Sequence, residues 1–362
     1  MNSIVDTLFI GEEPLTSANS RVAWNLLIPT VALLMVVAVR PLEETFITSV
    51  TNKRFATGEQ EVEFIGLDNY KQLLTFRFDI VECRKDDNNE CLVNERTGKV
   101  RWELIDRDLL EEGYRTADVV GIGGGRGVAI SGTDDDFVLA TFNTLRFTVI
   151  SVILELTLGL MIAMVVNSSF KGRGLMRAAM LVPWAIPTVV SARLWQTMMR
   201  DNSSGIINKF ALDIGLIEQS KAWFTEANLQ LGSIVAVDVW KTAPFMALLI
   251  LAGLQTLPED IYEAADVDGA SKMRQFFSIT LPLLRPTIAV ALVFRTLDAL
   301  RVFDVFQVLL GRQRLSMATY NYEQLIANRD AGYASAIGVV IFVLIFVFTA
   351  IYMRILGIES DQ

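Results

Sequence analysis

The chain has 362 residues, of which 52% are hydrophobic and 20% charged, with no histidine and a formal net charge of −9. The lack of histidine removes the commonest general base and the commonest zinc ligand, and we expect no metal site. The acidic balance argues against nucleic-acid binding, which relies on basic patches.

The hydrophobic residues are concentrated in long uncharged runs. Residues 22–39 form such a run between Arg21 and Arg40, and residues 331–353 form another. About 20 helical residues cross a ~30 Å hydrocarbon core. The sequence therefore predicts a polytopic membrane protein with six membrane segments, at roughly 22–48, 142–166, 175–199, 229–256, 287–310 and 331–355.

A polar stretch, residues 51–136, separates the first two predicted segments. It holds 19 acidic and 12 basic residues, so most of the net negative charge lies there. Turn-forming residues at 84–90 and 95–99 predict two β-hairpins. The glycine-rich run 121–127 lacks the Lys-Ser/Thr pair of a phosphate-binding loop, and we expect it to be a flexible loop. We therefore predict a small, β-containing insertion.

The only two cysteines, Cys83 and Cys91, flank the first of these turns. In an oxidising compartment they would form a disulfide at the end of the hairpin. The alternative is a pair of free thiols on a cytoplasmic loop. Charge bias does not decide the orientation, because the short loops carry six basic residues on each side of the membrane.

A polar loop, residues 257–286, connects the fourth and fifth predicted segments. Pro258 opens a short helix with acidic residues in its first turn, where the helix dipole favours them. Gly269 can adopt the positive φ that ends this helix. The sequence predicts a helix–turn–helix at the membrane surface, whose small residues Ala264 and Ala265 would allow a partner to dock closely. An ordinary interfacial connector is the alternative.

The spacing within this loop carries a family resemblance. Glu263-Ala264-Ala265 is followed by Gly269 four residues later, and then by Ile279-x-Leu281-Pro282. This pattern resembles the EAA loop of ABC importer permeases, in which the loop is the coupling helix that sits in a cleft of the cytoplasmic ATPase. The resemblance implies an ATPase-coupling role for Glu263, Ala264, Ala265, Asp268, Gly269, Ile279, Leu281 and Pro282.

Other segments resemble carbohydrate-uptake permeases, most closely the maltose/trehalose type of the first-subunit kind. The chain departs from many relatives at Gly311, where a Gly-Gly-Gly-Pro turn is absent, and in its insertion. Both departures lie on the outer side, so they concern substrate and binding-protein contacts. The segments that carry the resemblance are 64–70, 143–145, 173–177, 183–187, 237–246 and 303–306.

The resemblance implies an all-α polytopic membrane protein: six transmembrane helices of the type I ABC importer permease fold, with a small β-containing extracytoplasmic insertion between helices 1 and 2. It implies that the chain is not an enzyme and holds no cofactor, because ATP-Mg would bind separate ATPase subunits. The implied partners are a second homologous permease in a heterodimer, a homodimeric cytoplasmic ATPase, an extracytoplasmic sugar-binding protein and membrane lipid, without nucleic acid.

The implied localisation is the plasma or inner membrane, in a multi-pass arrangement with both termini cytoplasmic. The expected divisions are a cytoplasmic N-terminus with the first helix (1–50), the extracytoplasmic insertion (51–136), a five-helix permease core that includes the loop 257–286 (137–356), and a cytoplasmic tail (357–362).

Ionisable residues within the predicted spans mark either a pathway or a structural pair. Asp238 and Lys241 are three residues apart and could pair on one helix face. Four charged residues in the fifth segment form a row that would wind around its helix as a ladder of alternating charge. Such a ladder either locks the bundle through ion pairs, which we favour for Arg295, or lines a polar cavity that binds sugar hydroxyls. The row consists of Arg295, Asp298, Arg301 and Asp304.

Sugar sites also need an aromatic face and neutral hydrogen-bonding groups. In the maltose-type family, the spans that match the ones carrying the candidate residues line the substrate cavity. Simple packing is an equal alternative for each candidate residue. Glu155 is expected to make a buried polar contact, and Pro183 and Pro187 to bend the third segment. The candidate pathway residues are Trp240, Lys241, Asp298, Arg301, Phe303, Asp304, Gln307 and Asn321.

The expected function is the permease subunit of an ATP-driven importer for a sugar, such as trehalose, maltose or a related glycoside. Two alternatives remain open. The intramembrane charges would suit an ion-coupled secondary sugar transporter, and the insertion would suit a membrane-anchored receptor.

Overall fold

The computed structural model describes residues 17–55, 61–86, 89–94, 100–103 and 113–355. The expected cytoplasmic segments before residue 17 and after residue 355 lie outside them. The helices are α1 (Ser17–Leu34), α2 (Arg40–Ser49), α3 (Asp68–Leu74), α4 (Asp135–Asn167), α5 (Arg173–Ala185), α6 (Thr188–Met198), α7 (Ile206–Asp213), α8 (Ala227–Leu254), α9 (Glu259–Val267), α10 (Lys272–Gln275), α11 (Leu281–Leu283), α12 (Arg285–Leu300), α13 (Asp304–Leu309), α14 (Met317–Tyr322) and α15 (Ala331–Ile355).

Among the described residues, four stretches are each long and apolar enough to cross a membrane, and the number rises to six when each of two bent helix pairs counts as one span. The first bent pair is α5 with α6, at 91°, and the second joins residues 272–283 to α12, at 66°. The six predicted segments overlap these stretches, but the second bent pair begins at residue 272, well before the predicted start at 287. The single-helix spans are Trp24–Ser49, Asp135–Asn167, Ala227–Leu254 and Ala331–Arg354.

The bend predicted in the third segment lies at one of the two prolines. Pro187 follows the break and is the N-cap of α6, whereas Pro183 lies inside α5. A proline has no N–H and disfavours a helical residue before it, so Ile186 adopts an extended backbone and the chain turns there.

The fifth predicted segment, 287–310, is wrong at its far end. Helix α12 ends at Leu300, and Arg301 to Phe303 are not helical before α13 begins. The charged row is therefore not one continuous ladder, because Arg301 and Asp304 lie beyond the end of the helix that carries Arg295 and Asp298. Periodicity does not reveal such a break when no proline or glycine marks it.

The centre of the bundle is the contact between α4 and α8. Gly159 allows the two helices to approach closely, because a Cβ at this position would lie 2.8 Å from the Met246 side chain and 3.1 Å from the Ala247 nitrogen. Small residues at helix crossings have this effect in membranes, where packing drives association. Helix α12 packs against both α4 and α8, so the three helices enclose a shared interior.

The insertion contains a three-stranded antiparallel sheet in the order β1-β3-β2, formed by β1 (Phe76–Glu82), β2 (Arg115–Gly123) and β3 (Arg126–Gly132). The prediction of a flexible glycine-rich loop is wrong, because residues 121–127 form the ends of β2 and β3 and the turn between them. Gly124 and Gly125 have φ values of 64° and 76°, which only glycine adopts freely.

The two predicted hairpins are present only as isolated bridges. Lys85 pairs with Cys91 and Val93 with Val100, while the long partner of β1 is β3. The tips at 87–88 and 95–99 lie outside the described residues. A disulfide joins Cys83 to Cys91 across a Cα–Cα distance of 5.5 Å.

Candidate functional site

The loop between the fourth and fifth spans contains two short helices at a fixed angle. Helix α9 carries Glu259 and Asp260 in its first turn, and Gly269 ends it with φ at 73°. The Ala270 N–H donates to the Ala265 carbonyl at 2.9 Å, which satisfies a free carbonyl of the last turn. The Ser271 hydroxyl then accepts from the N–H of Arg274 and starts α10.

A polar clamp holds the two helices together. The Lys272 ammonium lies 2.9 Å from both carboxylate oxygens of Asp266. The buried Gln275 donates to the same carboxylate and, at 3.0 Å, to the Ala270 carbonyl. Hydrogen bonds from Lys272 and Gln275 hold the pKa of Asp266 below its ordinary value. The angle of the turn is thus set by side chains as well as by Gly269.

Three apolar side chains of this loop are exposed. Val267 is 88% exposed, Met273 68% and Phe277 59%. Ala264 and Glu263 are exposed as well, but Ala265 is buried, so the expectation that Ala265 faces a partner is wrong. A helix of this length turns one face inward, and Ala265 lies on that face.

The inner face of the loop is tied to the membrane helices. The Tyr262 hydroxyl is 2.9 Å from the Thr280 hydroxyl, at the start of the fifth span. A cavity of about 670 Å³ lies between this loop and the ends of α4 and α8. The one feature that could have marked Tyr262 in advance is its place on the apolar side of α9. Of the remaining predicted coupling residues, Asp268 is the exposed C-cap of α9. The last three, Ile279, Leu281 and Pro282, form the half-buried connection to α12.

A buried ion cluster joins the three central helices. Arg295 of α12 bonds to Glu155 of α4 and to Asp238 of α8, and its Nη1 lies 2.9 Å from Asp298. Arg295 and Asp238 are at most 6% exposed and Glu155 is fully buried. Thr242 adds a hydrogen bond of 2.6 Å to Glu155. The contacts of Arg295 agree with the favoured interpretation, in which it locks the bundle through ion pairs. Glu155, to which the sequence alone assigned no role, is one of the partners that link the helices.

The predicted pair of Asp238 and Lys241 is wrong. The carboxylate of Asp238 faces Arg295, whereas the Lys241 ammonium donates to the Trp184 carbonyl at 3.3 Å. The Trp184 ring stacks on Phe245 with centroids 5.1 Å apart. These contacts fix the bent third span against α8.

The other candidate pathway residues lie around the C-terminal end of α12. The side chains of Asp298 and Arg301 are 61% and 67% exposed and 4.0 Å apart. Phe303 packs edge-on against Tyr322, with centroids 5.3 Å apart, next to Asn321 in α14. Gln307 is exposed and Asp304 half-buried on α13. Exposed charges beside a buried cluster give this region polar groups that can contact a hydrated solute.

Trp240 lies apart from this group on α8. It is 39% exposed and packs edge-on against Trp195 of α6, with centroids 5.5 Å apart. Helix α13, which carries Gln307, packs against both α6 and α8. The candidates therefore lie on several neighbouring helices.

Comparison with known proteins agrees with this geometry. The profile of a protein family described as "Binding-protein-dependent transport system inner membrane component" matches residues 155–357. The chain is 45% identical over 232 residues to the trehalose/maltose transport system permease protein MalF of Thermococcus litoralis, which covers 62% of this chain and 77% of that one.

Two further relatives have similar coverage. The trehalose transport system permease protein SugA of Mycobacterium tuberculosis is 37% identical over 262 residues, covering 72% of this chain and 82% of SugA. The sulfoquinovosyl glycerol transport system permease protein SmoG of Agrobacterium fabrum is 40% identical over 227 residues, covering 62% and 73%.

A solved structure shares the fold across nearly the whole chain. It is the crystal structure of a bacterial ABC transporter involved in the import of the acidic polysaccharide alginate. The TM-score is 0.66 at 20% identity, with 95% of this chain and 98% of that chain covered. The insertion and the bent spans therefore belong to a known architecture.

Proposed function

Because the chain belongs to the family of binding-protein-dependent transport system inner membrane components, we propose that it is the permease subunit of an ATP-driven sugar importer. The observation that carries the proposal is the clamped helix pair 259–275, whose apolar side chains face outward from the membrane helices. An exposed apolar face on a rigid element is suited to docking a partner protein.

The proposed partners follow from this division of labour. An ATPase homodimer binds the helix pair and carries ATP-Mg, so this chain needs no cofactor. A second, homologous permease completes the pathway as a heterodimer, and an extracytoplasmic sugar-binding protein delivers the cargo. The loop then lies on the cytoplasmic side with both termini, and the insertion lies outside, where its disulfide is stable.

The proposed mechanism uses α12 as the connecting element. Closure of the ATPases moves the loop, and the Tyr262–Thr280 contact passes this movement into the fifth span. Arg295 holds α12 to α4 and α8, so the three helices move together. The break after Leu300 lies at the far end of α12, and its movement opens the pathway outward. Hydrolysis then returns the pathway to the inward-facing form.

We propose a neutral disaccharide, such as trehalose or maltose, as the cargo. The names of the two trehalose-transport relatives support this choice, and the sulfoquinovosyl glycerol relative extends it to related glycosides. Trp240 and Phe303 would pack against sugar rings, while Asp298, Arg301 and Gln307 would bind hydroxyl groups.

The test is uptake of radiolabelled trehalose and maltose into proteoliposomes that contain the complete complex. We expect uptake that requires ATP and the binding protein, and that an uncoupler does not affect. Uptake that survives without ATP but collapses with the uncoupler would instead establish an ion-coupled secondary transporter. Sugar binding by the isolated insertion, with no uptake, would establish a receptor.

A further inference from the structure

We propose that a polar cavity on the insertion side of the membrane is a saccharide-binding site separate from the candidate pathway. The cavity has a volume of about 500 Å³, within the ~300–1,000 Å³ range of small-molecule pockets. It forms where the end of the first span, α3, the start of α4 and the start of α15 meet the segment after α14. The choice of sugars as probes rests on the proposed function, whereas the site itself rests on this geometry.

Carboxamide side chains dominate the lining of the cavity. A carboxamide offers both hydrogen-bond donors and acceptors, and a sugar hydroxyl likewise both donates and accepts. The lining includes one aliphatic side chain, Ile65. A lining of this composition recognises a polyhydroxylated ligand better than an acyl chain or an apolar peptide side chain. The five carboxamides are Asn52, Asn69, Gln72, Gln324 and Asn328.

The charged groups of the cavity already have partners. Asp134 is 8% exposed, and its carboxylate accepts from the Phe137 N–H at 2.8 Å and from the hydroxyls of Tyr320 and Tyr333. Burial and the bond to Asp134 raise the pKa of Tyr320 well above its ordinary value, so this hydroxyl remains a donor. Asp330 and Arg54 pair at 3.3 Å. A neutral ligand therefore suits the site better than an anion.

Several amide groups in the cavity are free to bind a ligand. Among the described residues, no hydrogen bond engages the carboxamide of Gln72, the Nδ2 of Asn52 or the Oδ1 of Asn328. Other groups hold the cavity wall in place: Asn69 donates to the carbonyls of Ser49 and Thr51 at 2.8 and 3.2 Å. The site thus combines a fixed wall with open donors and acceptors.

The position of the cavity connects it to the pathway. Gln324 lies in the helical segment Glu323–Ala327, directly after α14, and α14 carries Asn321. The same helix carries the lining residue Tyr320, so a sugar held here would lie beside the helix that carries the candidate pathway residue Asn321. We therefore infer a site that holds cargo at the outer mouth before it enters the membrane.

The test uses the chain's own lack of a free thiol, since both of its cysteines are in the disulfide. Asn328→Cys, in the complete complex, is labelled with a membrane-impermeant maleimide in the presence of trehalose or maltose. The control is Gln219→Cys, which is exposed on the same side of the membrane and outside the cavity. We expect sugar to slow labelling at least threefold at position 328 and not at 219.

Adding Gln72→Leu to Asn328→Cys should abolish the protection, because it removes a carboxamide that lines the cavity and makes no hydrogen bond among the described residues. Unchanged labelling at every sugar concentration, in membranes that still import sugar, would overturn the cavity site and leave the proposed function standing. Protection by the sugar-free binding protein alone would also overturn it, because the occupant would then be a protein segment. Loss of ATP-driven uptake in the unmodified complex would contradict the proposed function instead.

Discussion

Removal of the Arg295 guanidinium should destabilise the membrane bundle strongly. In Arg295→Met, the carboxylates of Glu155 and Asp238 would stay buried without their cation, because both lie in the interior between α4, α8 and α12. Loss of one partner from a buried ion pair costs about 3–5 kcal/mol. Thr242 retains its hydrogen bond to Glu155 but supplies no charge.

The expected loss converts into a measurable shift of the thermal midpoint. At roughly 2 °C per kcal/mol for a chain of this size, the apparent Tm should fall by about 6–10 °C. The assay is thermal unfolding of the detergent-solubilised protein, followed by circular dichroism and by intrinsic tryptophan fluorescence. The Tm of Arg295→Lys should lie between those of the wild type and Arg295→Met. An ammonium keeps the charge but cannot bond to several carboxylates in a planar fork.

Two matched variants separate the charge effect from packing. Asp298→Asn removes the one partner of Arg295 that is exposed, so the loss should be below about 1 kcal/mol. The triple replacement of Glu155, Asp238 and Arg295 by leucine, leucine and methionine removes every buried charge at once and should restore most of the stability. A Tm for Arg295→Met within about 1 °C of the wild type would refute the reasoning.

Three further predictions concern the loop and the insertion. Gly269→Asp should abolish ATP-driven uptake while the protein still reaches the membrane. The control, Gly215→Asp, has a matching φ of 71° and equally open space around its Cβ, and it should leave uptake intact. Equal uptake by the two variants would contradict the coupling role. Because the pKa of Asp266 is lowered, its clamp to Lys272 should persist until the pH falls below the ordinary carboxyl value of about 4. Hydrogen exchange of the loop amides should therefore rise only in strong acid, but at every pH in Asp266→Asn, and a loop that exchanges alike in both proteins would show that the clamp is unimportant. Mass spectrometry of the intact protein should show alkylation of two thiols only after reduction, and alkylation without reductant would exclude the disulfide.

The apolar runs and the loop spacing were sufficient to predict six spans and the helix–turn–helix. The long uncharged run at 331–353, for example, has few alternatives to a membrane helix. Gly269 and the acidic first turn of α9 are local signals, and local signals specify local structure. The position of the bend at Pro187 follows from the same kind of chemistry.

Long-range pairing was not predictable in the same way. Lys241 and Asp238 are good partners by spacing, but Arg295 is a better one for Asp238, because a guanidinium can serve several carboxylates at once. The break after Leu300 and the pairing of β1 with β3 depend on elements distant in the chain. The role of Glu155 likewise became evident only when three helices were brought together, although a lone carboxylate in an apolar run already marked it.

The central claim is that the helix pair 259–275 receives the motion of an ATPase. The most direct test places a cysteine at Val267, an apolar side chain that is 88% exposed, in the complete complex and applies a maleimide that carries a photoreactive benzophenone. The control is Lys171→Cys, which is exposed in the other loop on the same side of the membrane. We expect the Val267→Cys variant alone to cross-link to the ATPase subunit and to lose ATP-driven sugar uptake in proportion to the cross-linked fraction. Efficient cross-linking to the ATPase with uptake unchanged would contradict the account.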